Sequence, residues 1–127
     1  MDARIDPAAA FGIALGDAHI IRNAGGNAQD ALRSILTSQH LLGTREIVLV
    51  KHTGCGMLTF SNDDAKAALR RNGGRVEDDF DFRPFADLEG ALKRDVEFLR
   101  GHEGLAKDVP VSGWVYDVAT GRVNRIV

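Results

Sequence analysis

"EIVLVKHTGCGMLTF" (46–60) is the stretch from which the rest of the chain can be read. Its first part, "EIVLVK" (46–51), is a nearly continuous β-branched run and predicts a strand covered on both faces. Its second part places His52 and the chain's single cysteine, Cys55, three positions apart, just past the strand's carboxyl end. Functional loops of α/β sheets lie at that end. Imidazole and thiolate are both zinc ligands. The same two residues also read as a polar turn residue and a small buried side chain, and two donors do not make a zinc site. Gly54 and Gly56 add backbone that can approach a metal or an anion closely.

Working outward, the upstream segments alternate in period. Pro7 to Leu15 reads as a short helix with Asp6 as N-cap, Pro7 at the first helical position and Gly16 closing it. "AHIIRN" (18–23) reads as a short apolar strand, followed by the turn-rich loop "NAGGNAQD" (23–30). A helix is predicted from Ala28 to Leu42, with Ala31, Leu32, Ile35, Leu36 and Leu42 at helical spacing and Gly43 as its C′ residue. Downstream, Ser61 or Asn62 caps a helix to about Asn72, and "GGRVEDDFDFR" (73–83) is an acidic loop. Pro84 is expected to open a longer helix striped by Phe85, Leu88, Leu92, Val96 and Leu99. "VSGWVYDV" (111–118) and "RVNRIV" (122–127) flank "ATG" as a β-hairpin. Strands alternating with helices imply an α/β fold. The expected sheet is mostly parallel with helices on both faces, antiparallel only in the closing hairpin.

At 127 residues the chain is expected to be one domain, residues 1–127, and 44% hydrophobic residues suffice for a core. A formal charge of −2, with Lys and Arg scattered among the carboxylates, argues against nucleic acid as a partner. No apolar run approaches the length of about 20 residues that a membrane span needs. The sequence has no signal-peptide pattern, and one cysteine excludes an internal disulfide framework, so a reducing, cytoplasmic setting is expected.

"MDAR" (1–4) puts an acid and a base two residues apart. In an extended segment Asp2 and Arg4 point to one side and can pair bidentately, although a surface ion pair of little energetic weight has the same signature. His19, His40 and His102 read as satisfied or solvated histidines rather than ligands. "GDAHIIRNAGG" (16–26) lacks a phosphate-loop lysine, so a nucleotide cradle is a weak reading.

Taken in order, "MDAR", "GDAHIIRNAGG", "LRSILTSQHLLGTREIVLVKHTGCGMLTF" and "GWVYDVATG" resemble the beta-class carbonic anhydrases, its compact members most closely. The resemblance implies a doubly wound α/β domain that forms homodimers or tetramers, uses Zn2+ and interconverts carbon dioxide and bicarbonate. By that resemblance His52 and Cys55 match two zinc ligands, and Asp2 and Arg4 match the family's aspartate–arginine dyad. Arg4 would hold Asp2 away from the metal while Asp2 orients the zinc-activated water; with the pair open, Asp2 could itself ligate zinc. Asn23, Ala24, Gly25, Gly26 and Gly56 would shape the substrate pocket. The family's remaining cysteine ligand directly precedes the motif that here begins at Met1. The first central strand is therefore expected to be missing together with that ligand, and activity is expected to be impaired. Two alternatives accompany this reading: a non-catalytic homologue serving as a dimerising or regulatory subunit, and hydrolysis of another heterocumulene such as carbon disulfide.

Overall fold

The apolar run forms β1 (Ile47–His52), one residue later than expected at either end. It pairs in parallel with β2 (Val111–Tyr116), with Ile47 opposite Val111 and His52 opposite Tyr116. β2 pairs antiparallel with β3 (Val123–Arg125), as the hairpin pattern predicts. The computed structural model describes residues 1–127, and its sheet has the order β1-β2-β3. The α/β architecture is the expected one, with a mixed three-stranded sheet.

Four α-helices accompany it. α1 (Pro7–Phe11) starts as predicted, Asp6 accepting from the N–H groups of Ala8 and Ala9, but it ends four residues early. Gly12, left-handed at φ 65°, donates back to the Ala8 carbonyl and closes the helix before Gly16 is reached. α2 (Ala28–Leu42) keeps its predicted bounds, with Asn27 as N-cap and Gly43 as C-cap. α3 (Asn62–Arg71) begins with a reciprocal capping box between Ser61 and Asp64. α4 (Leu88–Gly101) begins later than Pro84. Phe85 is diverted from the helix: its N–H donates to the Met57 carbonyl (3.2 Å) and its ring lies 5.0 Å from the Lys51 ammonium.

Strand pleating puts Ile47, Leu49 and Lys51 on one face with Val111, Gly113 and Val115. α4 packs on this face, and α2 packs on α4. The core is where the three layers meet: Ala28, Ala31 and Ile35 of α2, Val96 and Leu99 of α4, and Val111 of β2. Leu92, Val96 and Leu99 are fully buried, each side chain contributing roughly 1.5–3 kcal/mol by removal from water. On the opposite face Phe11 of α1 meets Tyr116 edge-on, with centroids 5.7 Å apart.

Two further expectations fail, and both concern the edge of the sheet. Residues 18–23 form neither a ladder nor a helix, and Ile20 is 47% and Ile21 42% exposed. Apolar content alone makes no strand without a neighbouring edge to bond. β1 is also not covered on both faces, since Val48 is 55% exposed. It stands at the end of the strand order, and α4 and α2 lie to one side of it.

At Gly113 α4 and the C-terminal Val127 both approach the sheet closely. A Cβ there would fall 2.8 Å from Val127, 3.0 Å from Val96 and 3.1 Å from Leu92. Gly113→Ala is therefore expected to destabilise the fold by about 1–3 kcal/mol through overpacking, measured by urea denaturation as a lower midpoint at unchanged slope.

Candidate active site

The parallel ladder continues one bond beyond β1: the Thr53 N–H donates to the Tyr116 carbonyl (3.0 Å), and Val118 N–H donates to Thr53 Oγ1 (3.1 Å). The turn that follows thus leaves the sheet from a fixed backbone. At the last position of β1, His52 Nδ1 lies 3.0 Å from the Thr53 carbonyl. A carbonyl only accepts, so Nδ1 carries the proton, and in the neutral ring Nε2 keeps its lone pair free. That nitrogen lies 3.6 Å from Asp2 Oδ2. Cys55 is 5% exposed and starts a 3₁₀ turn, its carbonyl accepting from Leu58 N–H (3.1 Å).

Asp2 and Arg4 form the bidentate pair that their spacing suggests. Arg4 Nε donates to Oδ1 (2.9 Å) and Nη2 to Oδ2 (2.7 Å), and the Arg4 backbone N–H adds a third bond to Oδ1 (2.9 Å). This is not an isolated surface pair. Arg4 Nη2 also donates to the Gly54 carbonyl (3.0 Å), and Arg22 Nη2 donates to the Asp2 carbonyl (2.6 Å), so the N-terminal segment is tied to both loops. The side-chain and then the backbone hydrogen bonds from Arg4 hold the Asp2 carboxyl well below the usual carboxylate range. Because the folded value is depressed, the pair's contribution to stability is present above the unfolded carboxylate range. It is lost only as pH falls through the folded value. Asp2 is consequently ionised throughout the mildly acidic and neutral range.

The loop at Asn23–Gly26 is a 3₁₀ turn braced by Asn23, whose Oδ1 accepts from Asn27 N–H (2.7 Å) while Nδ2 donates to the Asn27 carbonyl (2.9 Å). It seats directly on the end of β1. Gly26, at φ +57°, leaves no room for a side chain, since a Cβ would lie 2.7 Å from the Val50 carbonyl oxygen. A Cβ on Gly25 would lie 3.0 Å from both Met57 and Phe85.

The structure therefore brings Asp2, Arg4, His52 and the turn at Gly54 together, and sets Asn23–Gly26 beside them on β1. Gly56 is exposed, with nothing within 4 Å of where its Cβ would stand. No group of three His, Cys, Asp or Glu side chains is arranged to hold a metal. The other histidines have partners elsewhere: His19 with Ser38 Oγ (2.6 Å), His40 with the Gly104 carbonyl (2.8 Å) and His102 with the Gly104 N–H (3.0 Å). Two residues with roles here went unread in the sequence, Arg22 and Lys51. The signal for Lys51 was a charge closing a β-branched run; Arg22, between Ile21 and Asn23, carried none.

The carbonic anhydrase family model matches residues 1–79. Beta-carbonic anhydrase 1 of Mycobacterium tuberculosis is 40% identical over 127 residues, covering 99% of this chain and 77% of that protein. A carbon disulfide hydrolase of Acidithiobacillus thiooxidans is 34% identical, covering 98% of this chain and 72% of its own length. The crystal structure of a carbonic anhydrase from Streptococcus mutans superposes with a TM-score of 0.95 at 44% identity, covering all of this chain and 77% of that one. The chain belongs to the beta-carbonic anhydrase family.

Arg4→Ala is expected to return the Asp2 carboxyl to the ordinary range near about 4. Carboxyl-carbon NMR titration of the metal-free protein measures this; a titration that stays far below that range would mean that other groups hold the charge.

Proposed function

We propose that the protein hydrates carbon dioxide reversibly to bicarbonate with zinc as cofactor, His52 and Cys55 as metal donors, and Asp2 with Arg4 as the catalytic pair. The observation that carries this reading is the Asp2 carboxylate, clamped by Arg4, tied through Arg4 to Gly54 and 3.6 Å from the free ring nitrogen of His52. Family membership supports carbon dioxide hydration in general. A non-catalytic subunit is not favoured, since the matched relatives are named for enzymes.

His52 and Cys55 suit zinc in kind, and the Nδ1 bond to a backbone carbonyl is the support that metal-bound histidines commonly have. They fall short in number: a catalytic zinc typically has three protein donors, and no third joins them within residues 1–127. Asp2 is the nearest supplementary donor to His52, but it is committed to Arg4 unless that pair opens. When bound, zinc supplies a water acidified toward neutral pH.

The remaining work falls to the chain's own groups. Arg4 keeps Asp2 ionised and fixed in rotamer, so Oδ2 can accept a hydrogen bond from the attacking water. That bond aims a lone pair of the water oxygen at the carbon of carbon dioxide. A C–O bond forms, one C=O π pair moves onto oxygen, and the water's proton leaves to solvent, giving bicarbonate. The backbone at Asn23, Ala24, Gly25 and Gly26, with Gly56 at the start of the following turn, would shape a pocket for a small uncharged linear molecule. No helix is long and apolar enough to cross a membrane; the cytoplasm is the proposed setting.

Assembly into a homodimer or larger homo-oligomer belongs to the same proposal. Leu15, Leu41, Leu42 and Val48 are exposed apolar side chains that a partner could cover. Light scattering is expected to give at least twice the 13.7 kDa chain mass at micromolar concentration; a monodisperse monomer would contradict it.

His52→Ala and Cys55→Ser are each expected to abolish zinc binding, read as zinc per chain by elemental analysis. Residues 1–127 alone are expected to bind zinc weakly and hydrate carbon dioxide slowly. A chain extended by a strand ending in cysteine before Met1 is expected to gain in both. Equal zinc affinity and stopped-flow hydration rates in the two forms would refute this donor count, and carbon disulfide run in parallel shows which heterocumulene is turned over.

A further inference from the structure

Lys51 is 3% exposed, and its neighbour in β1, His52, points by strand alternation to the opposite face of the sheet. Its ammonium donates to the Gly25 carbonyl (2.7 Å) and the Gly26 carbonyl (3.2 Å) and forms an ion pair with Asp95 Oδ2 on α4 (2.8 Å). The Phe85 ring covers the charge at 5.0 Å. An ion pair for the fold alone needs only Asp95; the two remaining bonds go to consecutive carbonyls of the Asn23–Gly26 loop. Gly26 meanwhile abuts the Val50 carbonyl, so the loop is drawn onto the strand by charge and stopped by contact.

We propose that Lys51 is a positioning residue for the reaction. It locks the Asn23–Gly26 loop to the end of β1 from behind and so sets that loop's distance from His52. This rests on the reading that the loop lines the substrate pocket. The removal of Lys51 leaves two carbonyls and a carboxylate without their donor in a buried place, and the loop is the element free to move away.

The test compares the parent with Lys51→Met and Asp95→Asn by hydrogen–deuterium exchange of the 127-residue chain. Lys51→Met is expected to speed exchange in a peptide spanning 23–27 by about tenfold or more, leaving β2 and the middle of α2 unchanged. Asp95→Asn, which keeps both carbonyl bonds, is expected to leave 23–27 slow. In the zinc-loaded, cysteine-extended form, Lys51→Met is expected to raise KM for carbon dioxide severalfold at unchanged zinc content. If Lys51→Met does not fold, Lys51→Gln, which can still serve one carbonyl, is expected to show a smaller rise confined to the same peptide. Unchanged exchange at 23–27, equal acceleration throughout the chain, or equal acceleration by Asp95→Asn would overturn the inference. So would a loosened loop with parental KM and kcat. A parent inactive even when zinc-loaded would instead refute the proposed function, and the exchange result would still decide whether Lys51 holds the loop.

Discussion

The parallel ladder of β1 and β2 runs one bond past the strand, through Thr53 N–H to the Tyr116 carbonyl, and the site is built on that end of β1. The turn bearing His52 and Cys55 starts from it. Arg4 reaches the turn at Gly54, and through Arg4 the Asp2 carboxylate is fixed opposite His52. On the other face of the same strand end, Lys51 fastens the Asn23–Gly26 loop. Because adjacent strand residues face opposite ways, two elements with different chemistry are set by one piece of backbone.

That dependence explains which parts were legible in the sequence. The β-branched run 46–51 read correctly as a strand because burial of its odd-numbered face against α4 agrees with its local preference. Caps read well for the same reason: Asp6, Ser61 and Gly43 act within a turn of their own position. Apart from the early end of α1, set locally by Gly12, what failed was set by distant partners. "AHIIRN" (18–23) has a strand's composition but no edge to pair with. Pro84 has a helix-opening residue's geometry, yet Phe85 is held by Met57 and Lys51, and the helix waits until Leu88.

The site divides in the same way. The two-residue spacing of Asp2 and Arg4 forecast their pairing because it is local, and the His52–Cys55 turn is local too. That Asp2 faces His52 across fifty residues of chain could be expected only through resemblance to a family. Lys51 is the reverse case. A charge closing an apolar run reads as a surface residue, and only the fold shows that Gly25 and Gly26 accept its hydrogen bonds and Asp95 pairs with its charge.

The proposed reaction requires His52 and Cys55 to act on one zinc ion beside the Asp2–Arg4 pair. X-ray absorption at the zinc edge of the zinc-loaded 127-residue chain addresses it most directly. One sulfur is expected at about 2.3 Å with nitrogen or oxygen neighbours at about 2.0–2.1 Å, including the imidazole pattern of His52. The sulfur should vanish in Cys55→Ser and the imidazole pattern in His52→Ala. Zinc without a sulfur neighbour, or with neighbours unchanged by either substitution, would place the metal elsewhere and overturn these donors.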